Sequence, residues 1–150
     1  RLAGSGVRIA LENNNHHHAD DARKLLAGLP ELAEFARQHD LDLTFDTCHA
    51  AAAGLDVLQG WKLVSELTAN IHLSDLVPRS IPGNSPLLRS LISDHQFPGK
   101  GILPLAELAR MLHAGAYDGV VTLEVSPLAL PTLSTRALKS KLETVIRFVK

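Results

Sequence analysis

Apolar and polar residues alternate along four short stretches of the chain, a pattern that predicts β-strands. The stretches are residues 7–12, 41–46, 70–73 and 120–125. Because side chains alternate across a strand, each stretch has one apolar side and one side that is small or polar. The polar side of every stretch carries an ionisable residue close to the end of the strand.

Helical spacing of apolar residues fills the intervals between these strands. The predicted helices are residues 30–39, 55–67, 103–114 and 134–149. Strands that alternate with helices favour βαβ units and a parallel sheet. A doubly wound sheet would have nearly continuous apolar strands, so the polar side of each strand favours the α/β class in its (β/α)8 TIM-barrel form. Four βα units amount to half of such a barrel.

Two long stretches, at about residues 13–20 and 74–103, are predicted as loops. The second is rich in Pro and Gly, and loops of this length in a compact domain are usually functional. The first contains His16, His17 and His18 in succession, for which a solvated loop is favoured over a metal site.

Four residues share the polar side and the end of their strands: Glu12, Asp46, His72 and Glu124. Active sites of (β/α) barrels lie at the carboxyl ends of the strands. Three carboxylates without a cation would repel one another, whereas a divalent ion such as Mn, Mg, Co or Zn accepts carboxylate and imidazole ligands. The alternative for each residue is a solvated strand end, and Asp46 could instead cap the following helix.

Three further residues near these strands have open roles. His49 follows Asp46 by three positions and could be a ligand, a substrate contact or a loop histidine. His95 precedes a Pro-Gly-x-Gly turn whose backbone could approach a ligand or simply lie at the surface. Cys48 is expected to be a small core residue.

Net charge and composition limit which binding partners and which cellular location are expected. The 150 residues include 15 Lys and Arg against 16 Asp and Glu, giving a formal net charge of -1. A dedicated nucleic-acid binder usually has a basic surplus, so no nucleic-acid partner is expected. A single Cys excludes an internal disulfide framework and favours a reducing, cytoplasmic location. The sequence has no apolar run long enough to span a membrane.

Five motifs together resemble the C-terminal half of the xylose isomerase-like TIM-barrel superfamily, which contains sugar phosphate isomerases and epimerases and the family 2 AP endonucleases. They are residues 9–13 (IALEN), 43–50 (LTFDTCHA), 72–75 (HLSD), 95–101 (HQFPGKG) and 117–124 (YDGVVTLE). In that order they resemble the fifth, sixth and seventh strands, the loop before the last helix, and the eighth strand. The resemblance implies that residues 1–150 are the C-terminal half of one barrel domain.

The resemblance also implies a function. Glu12, Asp46, His72 and Glu124 would be the metal ligands, Glu12 and Glu124 the acid/base pair, and His49 and His95 substrate-binding residues. The implied activity is a metal-dependent isomerase or epimerase that moves a proton through an enediolate of a ketose, aldose or related polyol. Polarisation of a carbonyl by the ion, with two carboxylates to remove and return the proton, makes chemical sense of this residue set.

Three alternatives remain at this level. One is a zinc-dependent AP endonuclease, in which His49 and His95 would bind additional zinc. The net charge and the presence of Ser93, where that branch has Asp, count against it. A dehydratase or lyase of the same superfamily is the second, and a barrel without catalytic activity is the third. A half-barrel has open edges, so we expect either an N-terminal half or a second copy to cover them.

Overall fold

The computed structural model describes residues 6–13, 28–81, 85–130 and 134–149. The chain divides into two compact units. The first unit comprises Arg1–His72 with Gly119–Thr122, and the second comprises Leu73–Asp118 with Leu123–Lys150. His16, His17 and His18, and most of the loop predicted around them, lie outside the described residues.

All four predicted strands are present, three of them shorter than the sequence pattern and the third strand longer. They are β1 (Ala10–Glu12), β2 (Asp42–Asp46), β3 (Thr68–Leu73) and β4 (Val120–Leu123). They form one sheet in the order β1-β2-β3-β4, in which β1 pairs parallel with β2 and β2 pairs parallel with β3. The predicted parallel α/β architecture is confirmed.

Six helices are described along the chain. They are α1 (Leu29–His39), α2 (Thr47–Ala52), α3 (Val57–Val64), α4 (Pro86–Ile92), α5 (Leu105–Ala114) and α6 (Thr135–Val149). A 3₁₀ turn, Ser65–Leu67, ends the segment predicted as one helix from 55 to 67. Within the described part of the chain, no helix combines the length and the hydropathy that a bilayer crossing requires.

Helix α4 corrects the prediction of a continuous loop from residue 74 to residue 103. Ser85 caps the helix, since its side chain accepts a hydrogen bond from the backbone N–H of Leu88, and Pro86 lies in the first turn. Both are favourable at a helix start. The prolines and glycines on either side of the segment concealed this short helix.

Register places the polar side chains of the strands on one face of the sheet. Glu12 pairs in register with Thr44, and Thr44 with Asn70. One layer further along, Asp46 is in register with His72. A hydrogen bond of 3.0 Å from Thr122 Oγ1 to Asn70 Oδ1 adds β4 to the same face. The alternation read from the sequence is therefore present in all four strands.

The opposite face of the sheet packs the core of the first unit. Leu43, Phe45 and Ile71 are 0–1% exposed, and the Phe45 ring lies 6.1 Å from that of Trp61 on α3. Val7 and Ile9, on the apolar side of the stretch predicted as the first strand, are 58% and 44% exposed.

The core of the second unit forms around α5. Leu105, Leu108 and Leu112 are buried there, and Val145 on α6 is buried in the same unit. On α6, predicted as a helix over residues 134–149, Val145 is buried whereas Leu142 and Ile146 are exposed.

Candidate metal centre

Three of the four predicted ligands meet in the first unit. Glu12 ends β1, Asp46 ends β2, and His72 is the last residue of β3 in that unit. One ligand atom of each lies within 4.8 Å of the others. They come together because parallel strands carry their carboxyl ends to the same edge of the sheet and the residues share one face.

The imidazole of His72 points its Nδ1 atom at both carboxylates. Nδ1 lies 3.0 Å from Glu12 Oε1 and 3.8 Å from Asp46 Oδ2. Ligand atoms that each lie about 2.1 Å from one ion are separated by about 3.0–4.2 Å, depending on the angle between them. The spacing of these three groups is therefore that of a shared coordination sphere.

The two carboxylate oxygens of Asp46 have different contacts, one with a helix and one with His72. The side chain is fully buried, and Oδ1 accepts a hydrogen bond of 2.7 Å from the backbone N–H of His49, which caps α2. Oδ2 is the oxygen on the side of His72. The sequence left helix capping and metal binding as alternatives for Asp46, and this geometry is compatible with both.

His49 stands beside this cluster, and its Nδ1 faces acceptors. Nδ1 lies 2.9 Å from the backbone carbonyl oxygen of Asn13, 3.5 Å from Glu12 Oε1 and 3.9 Å from Asp46 Oδ1. A carbonyl oxygen can only accept a hydrogen bond, so Nδ1 is the donor in this contact. His49 is therefore a neighbour of two of the strand-end groups, Glu12 and Asp46.

Asn13 and Thr47 are two residues whose contribution the sequence reasoning missed. Asn13 Nδ2 donates to the Asp46 carbonyl at 3.0 Å, and Asn13 Oδ1 accepts from the Asp46 N–H at 2.7 Å. Thr47 Oγ1 donates to the His72 carbonyl at 3.2 Å. The only signal in the sequence was their position, directly after a strand-end carboxylate.

The donor set suits a divalent ion. Two carboxylates and one imidazole are oxygen and nitrogen ligands that Mn, Zn and related ions accept. Asp46 is 0% exposed, whereas the Glu12 side chain is 37% exposed and the His72 side chain 20%. The buried residue fixes the site, and the more open ones leave it accessible from solvent. The chemistry and spacing of this first-unit cluster fit a metal centre.

The other two predicted site residues belong to the second unit. Glu124 directly follows β4, and its backbone N–H donates to the Leu73 carbonyl at 3.3 Å. His95 is 8% exposed and has a positive φ of 51°, a left-handed conformation that is unusual for a residue other than Gly. Its Nδ1 lies 3.3 Å from the hydroxyl of the buried Ser74.

The loop after His95 is built on the carboxylate of Asp75. Oδ2 accepts from the N–H groups of Gly99 and Gly101 at 2.9 and 2.8 Å, and Oδ1 accepts from those of Leu76 and Leu103 at 2.9 and 3.1 Å. A Cβ at Gly101 would overlap the Leu76 carbonyl and the Asp75 carboxylate. The glycine allows this close approach of two backbones, and the Pro-Gly-x-Gly turn is confirmed as a tight, anchored loop.

Comparison with known sequences identifies relatives over nearly the whole chain. A family model described as "Xylose isomerase-like TIM barrel" matches residues 1–142. An uncharacterised protein of Mycobacterium tuberculosis is 31% identical over 141 residues, covering 83% of this chain and 46% of that protein. One of Mycobacterium leprae is 26% identical over 151 residues, covering 89% and 50% respectively. The chain spans about half the length of the curated relatives it matches.

Solved structures with the same fold are enzymes and a zinc-binding protein. A D-psicose 3-epimerase with D-tagatose, from Clostridium cellulolyticum H10, has a TM-score of 0.67 at 16% identity, covering 96% of this chain and 48% of its own. The protein IolI with a bound zinc atom gives 0.67 at 19%, covering 96% and 49%. The probable 3-DHS dehydratase AsbF of Bacillus anthracis gives 0.65 at 15%, covering 93% and 49%.

Proposed function

Because the chain belongs to the xylose isomerase-like TIM-barrel family, we propose that it is the C-terminal half of a divalent-metal-dependent sugar isomerase or epimerase. The proposed substrate is a ketose, an aldose or a related polyol. The observation that carries the proposal is the convergence of Glu12, Asp46 and His72 at the carboxyl ends of three adjacent strands. That edge of the sheet is where (β/α) barrels bind their substrates.

Glu12, Asp46 and His72 would hold the ion, with Glu124 as the fourth ligand. Support for Glu124 comes from β4, where the hydrogen bond from Thr122 to Asn70 assigns position 122 to the polar face of the sheet. If the alternation continues one residue beyond β4, Glu124 would lie on the same face. When bound, the ion would supply a Lewis acid that polarises a substrate carbonyl and stabilises the negative charge developing beside it.

Glu12 and Glu124 are the proposed acid/base pair. The Glu12 side chain is 37% exposed, so a substrate can reach its carboxylate. Asp46, in contrast, is fully buried and one of its two oxygens caps α2. Glu12 ends β1 and Glu124 follows β4, the two outer strands of the described sheet. One would remove a proton next to the carbonyl and the other would return it.

His49 and His95 are proposed to contact the substrate hydroxyls. His49 lies beside the ligand cluster, and His95 is held in a strained backbone conformation of the kind that collects at functional sites. Each has Nδ1 engaged, by the Asn13 carbonyl and by the Ser74 hydroxyl respectively, which orients its ring.

The metal centre is tested by calorimetric titration of metal-stripped protein with Mn²⁺ and Zn²⁺. Asp46→Asn keeps an oxygen for the helix cap but removes a ligand charge, so we expect the affinity to fall at least about tenfold. Asp42→Asn is the matched control: Asp42 lies on the same strand, four positions earlier, and forms an ion pair with Arg8. Equal affinity in both variants and the parent would refute the site.

The reaction class is tested by incubating the protein with ketoses and aldoses in D₂O at saturating metal. Transfer of a proton next to a carbonyl incorporates deuterium at that carbon, which NMR detects. Glu124→Gln should slow the exchange by about 10²–10⁴-fold, the usual contribution of a positioned acid or base. Unchanged exchange on a turned-over substrate would remove Glu124 from the acid/base pair.

A dehydratase is the second candidate, favoured by the similarity of the fold to the probable 3-DHS dehydratase. It would use the same first step, removal of a proton next to a carbonyl, followed by loss of a hydroxyl as water. The two reactions differ in product, because a dehydratase yields an unsaturated compound with new ultraviolet absorbance. An epimerase returns the proton and preserves the composition of the sugar.

A further inference from the structure

Asn13 is a buried polar residue that immediately follows a proposed ligand in the first unit. It comes directly after Glu12 and is 1% exposed. Burying an amide without hydrogen bonds is unfavourable, so its contacts are a condition of its burial. Those contacts lead to two other members of the candidate metal centre.

The side chain of Asn13 extends the hydrogen bonding between β1 and β2 beyond the paired backbone. Backbone pairing between β1 and β2 is in register up to Glu12 and Thr44. Beyond that point the Asn13 amide exchanges two hydrogen bonds with the backbone N–H and carbonyl of Asp46, at 2.7 and 3.0 Å. The amide thus takes the part of a strand backbone, and it fixes the end of β2 against the residue that follows Glu12.

The backbone carbonyl of Asn13 orients the imidazole of His49. It lies 2.9 Å from His49 Nδ1, and the other oxygens near that nitrogen, Glu12 Oε1 and Asp46 Oδ1, are carboxylate acceptors. Nδ1 therefore carries the ring hydrogen of neutral His49. The lone pair lies on Nε2, which defines the atom through which the ring can accept a contact.

We propose that Asn13 is a positioning residue of the metal centre. Its amide sets the distance between the Glu12 and Asp46 ends of their strands, and its carbonyl sets the orientation and tautomer of His49. Both oxygen and nitrogen of the amide are used on Asp46, so Asn13 orients ligands and does not coordinate the ion. This inference rests on the proposed metal-dependent function.

Two variants of Asn13 separate positioning from stability. Asn13→Ala removes both amide contacts with Asp46. Asn13→Asp is nearly isosteric and keeps the acceptor, but it replaces the donor to the Asp46 carbonyl with an oxygen. Thr68→Val is the matched control, since Thr68 is also buried in the first unit and its hydroxyl donates to the Val64 carbonyl at 2.8 Å, outside the metal centre.

Three measurements are made on each metal-free variant and on the parent. Calorimetric titration with Mn²⁺ gives the metal affinity, long-range ¹H–¹⁵N NMR gives the tautomer of His49, and urea denaturation gives the free energy of unfolding. We expect both Asn13 variants to lose about 10–100-fold in metal affinity, as supporting groups around metal ligands usually do. His49 should be the Nδ1–H tautomer in the parent and in Thr68→Val. We expect a mixture in Asn13→Ala, because the backbone carbonyl that Ala retains is then no longer held in place by the amide contacts with Asp46.

The outcomes discriminate between the claims. If the Asn13 variants lose stability as Thr68→Val does but keep the metal affinity and the tautomer of the parent, Asn13 is only structural and the inference is wrong. An Nε2–H tautomer in the parent would also overturn it. If the parent binds no metal but the tautomer responds to Asn13→Ala, the proposed function fails while the positioning of His49 stands. If Asn13→Ala does not fold, the comparison of Asn13→Asp with the parent decides.

Discussion

Residues at the strand ends combine a structural and a chemical role. Asp46 caps α2 with one oxygen and faces His72 with the other, and Asn13 pairs with Asp46 while its carbonyl holds His49. The sequence predicted which strand-end side chains share a face, because alternation depends only on parity. It could not predict these backbone contacts, which depend on how the chain turns after each strand.

Tyr117 offers a residue-scale test of burial. Its partial burial, together with the negative charge of Asp118, raises the pKa of the phenol from 10.0 to about 12. The folded state therefore keeps a proton that the unfolded state releases, and the free energy of unfolding should decrease as the pH rises from about 10 to about 12. Because the chain has one Tyr, ultraviolet absorbance of the phenolate reports this group alone.

Replacement of Asp118 provides the control for Tyr117. Burial is the larger cause of the raised pKa and Asp118 the smaller, so Asp118→Asn should lower the phenol midpoint only in part. Fluorescence of the single Trp, Trp61, monitors whether the fold survives through the titration. An ordinary phenol midpoint in folded protein would contradict the burial of Tyr117.

The glycine of the anchored loop provides a second residue-scale prediction. Gly101→Ala should destabilise the protein by roughly 1–3 kcal/mol, since the new Cβ would overlap backbone and carboxylate atoms that cannot easily move. Gly115→Ala is the control, because the nearest atom to its added Cβ is the Met111 carbonyl oxygen at 3.2 Å and its φ is -84°. Urea denaturation of both variants measures the difference, and similar losses would argue against the tight packing of Gly101.

Elements were predicted well where an amphipathic pattern was long. Helix α5 begins within two residues of its predicted start, and α1 within one. Helices α2 and α4 were missed because they have only 6 and 7 residues, too short for a periodic pattern to be recognised. On α6 the apolar residues were found but the buried face was not, since Val145 and Leu142 both fit a helical stripe and only packing separates them.

Helix α3 gives an element-scale prediction about capping. Asp56 is exposed, and its Oδ1 accepts a hydrogen bond of 2.8 Å from the Gln59 N–H at the start of this helix. Asp56→Ala should lower the free energy of unfolding by about 1 kcal/mol, the usual value of such a cap. Asp56→Asn, which can still cap, should cost clearly less in the same denaturation experiment. Equal losses would show that the cap contributes nothing.

At the scale of the whole molecule, the near balance of positive and negative charges makes DNA an unfavourable partner. A net charge of -1 supplies little attraction for phosphate groups, so we expect no salt-sensitive binding of abasic duplex DNA at physiological ionic strength. Fluorescence anisotropy with labelled DNA over a range of salt concentrations measures this. Tight binding that weakens steeply with salt would favour the nuclease branch of the superfamily over a sugar isomerase.

The outer strands of the sheet lead to a prediction about assembly. β1 and β4 are the ends of the described sheet, and Val7, Ile9 and Val120 near them are 58%, 44% and 61% exposed. Open apolar edges tend to pair, so the 150-residue chain alone should self-associate, and an N-terminal half-barrel supplied in trans should suppress this. Light scattering decides, and a stable, well-folded monomer would contradict the half-barrel proposal.

The loop held by Asp75 has a consequence for how this protein could be altered. Its carboxylate accepts hydrogen bonds from the backbone N–H groups of alternate residues, Gly99, Gly101 and Leu103. Inserting or deleting one residue between them would therefore point the following N–H groups away from the carboxylate. Loop length is therefore constrained, but side-chain identity in between is not: Lys100 is exposed and Ile102 is 67% exposed. Positions 100 and 102 are where a library of variants could change the surface chemistry of this loop without changing its path.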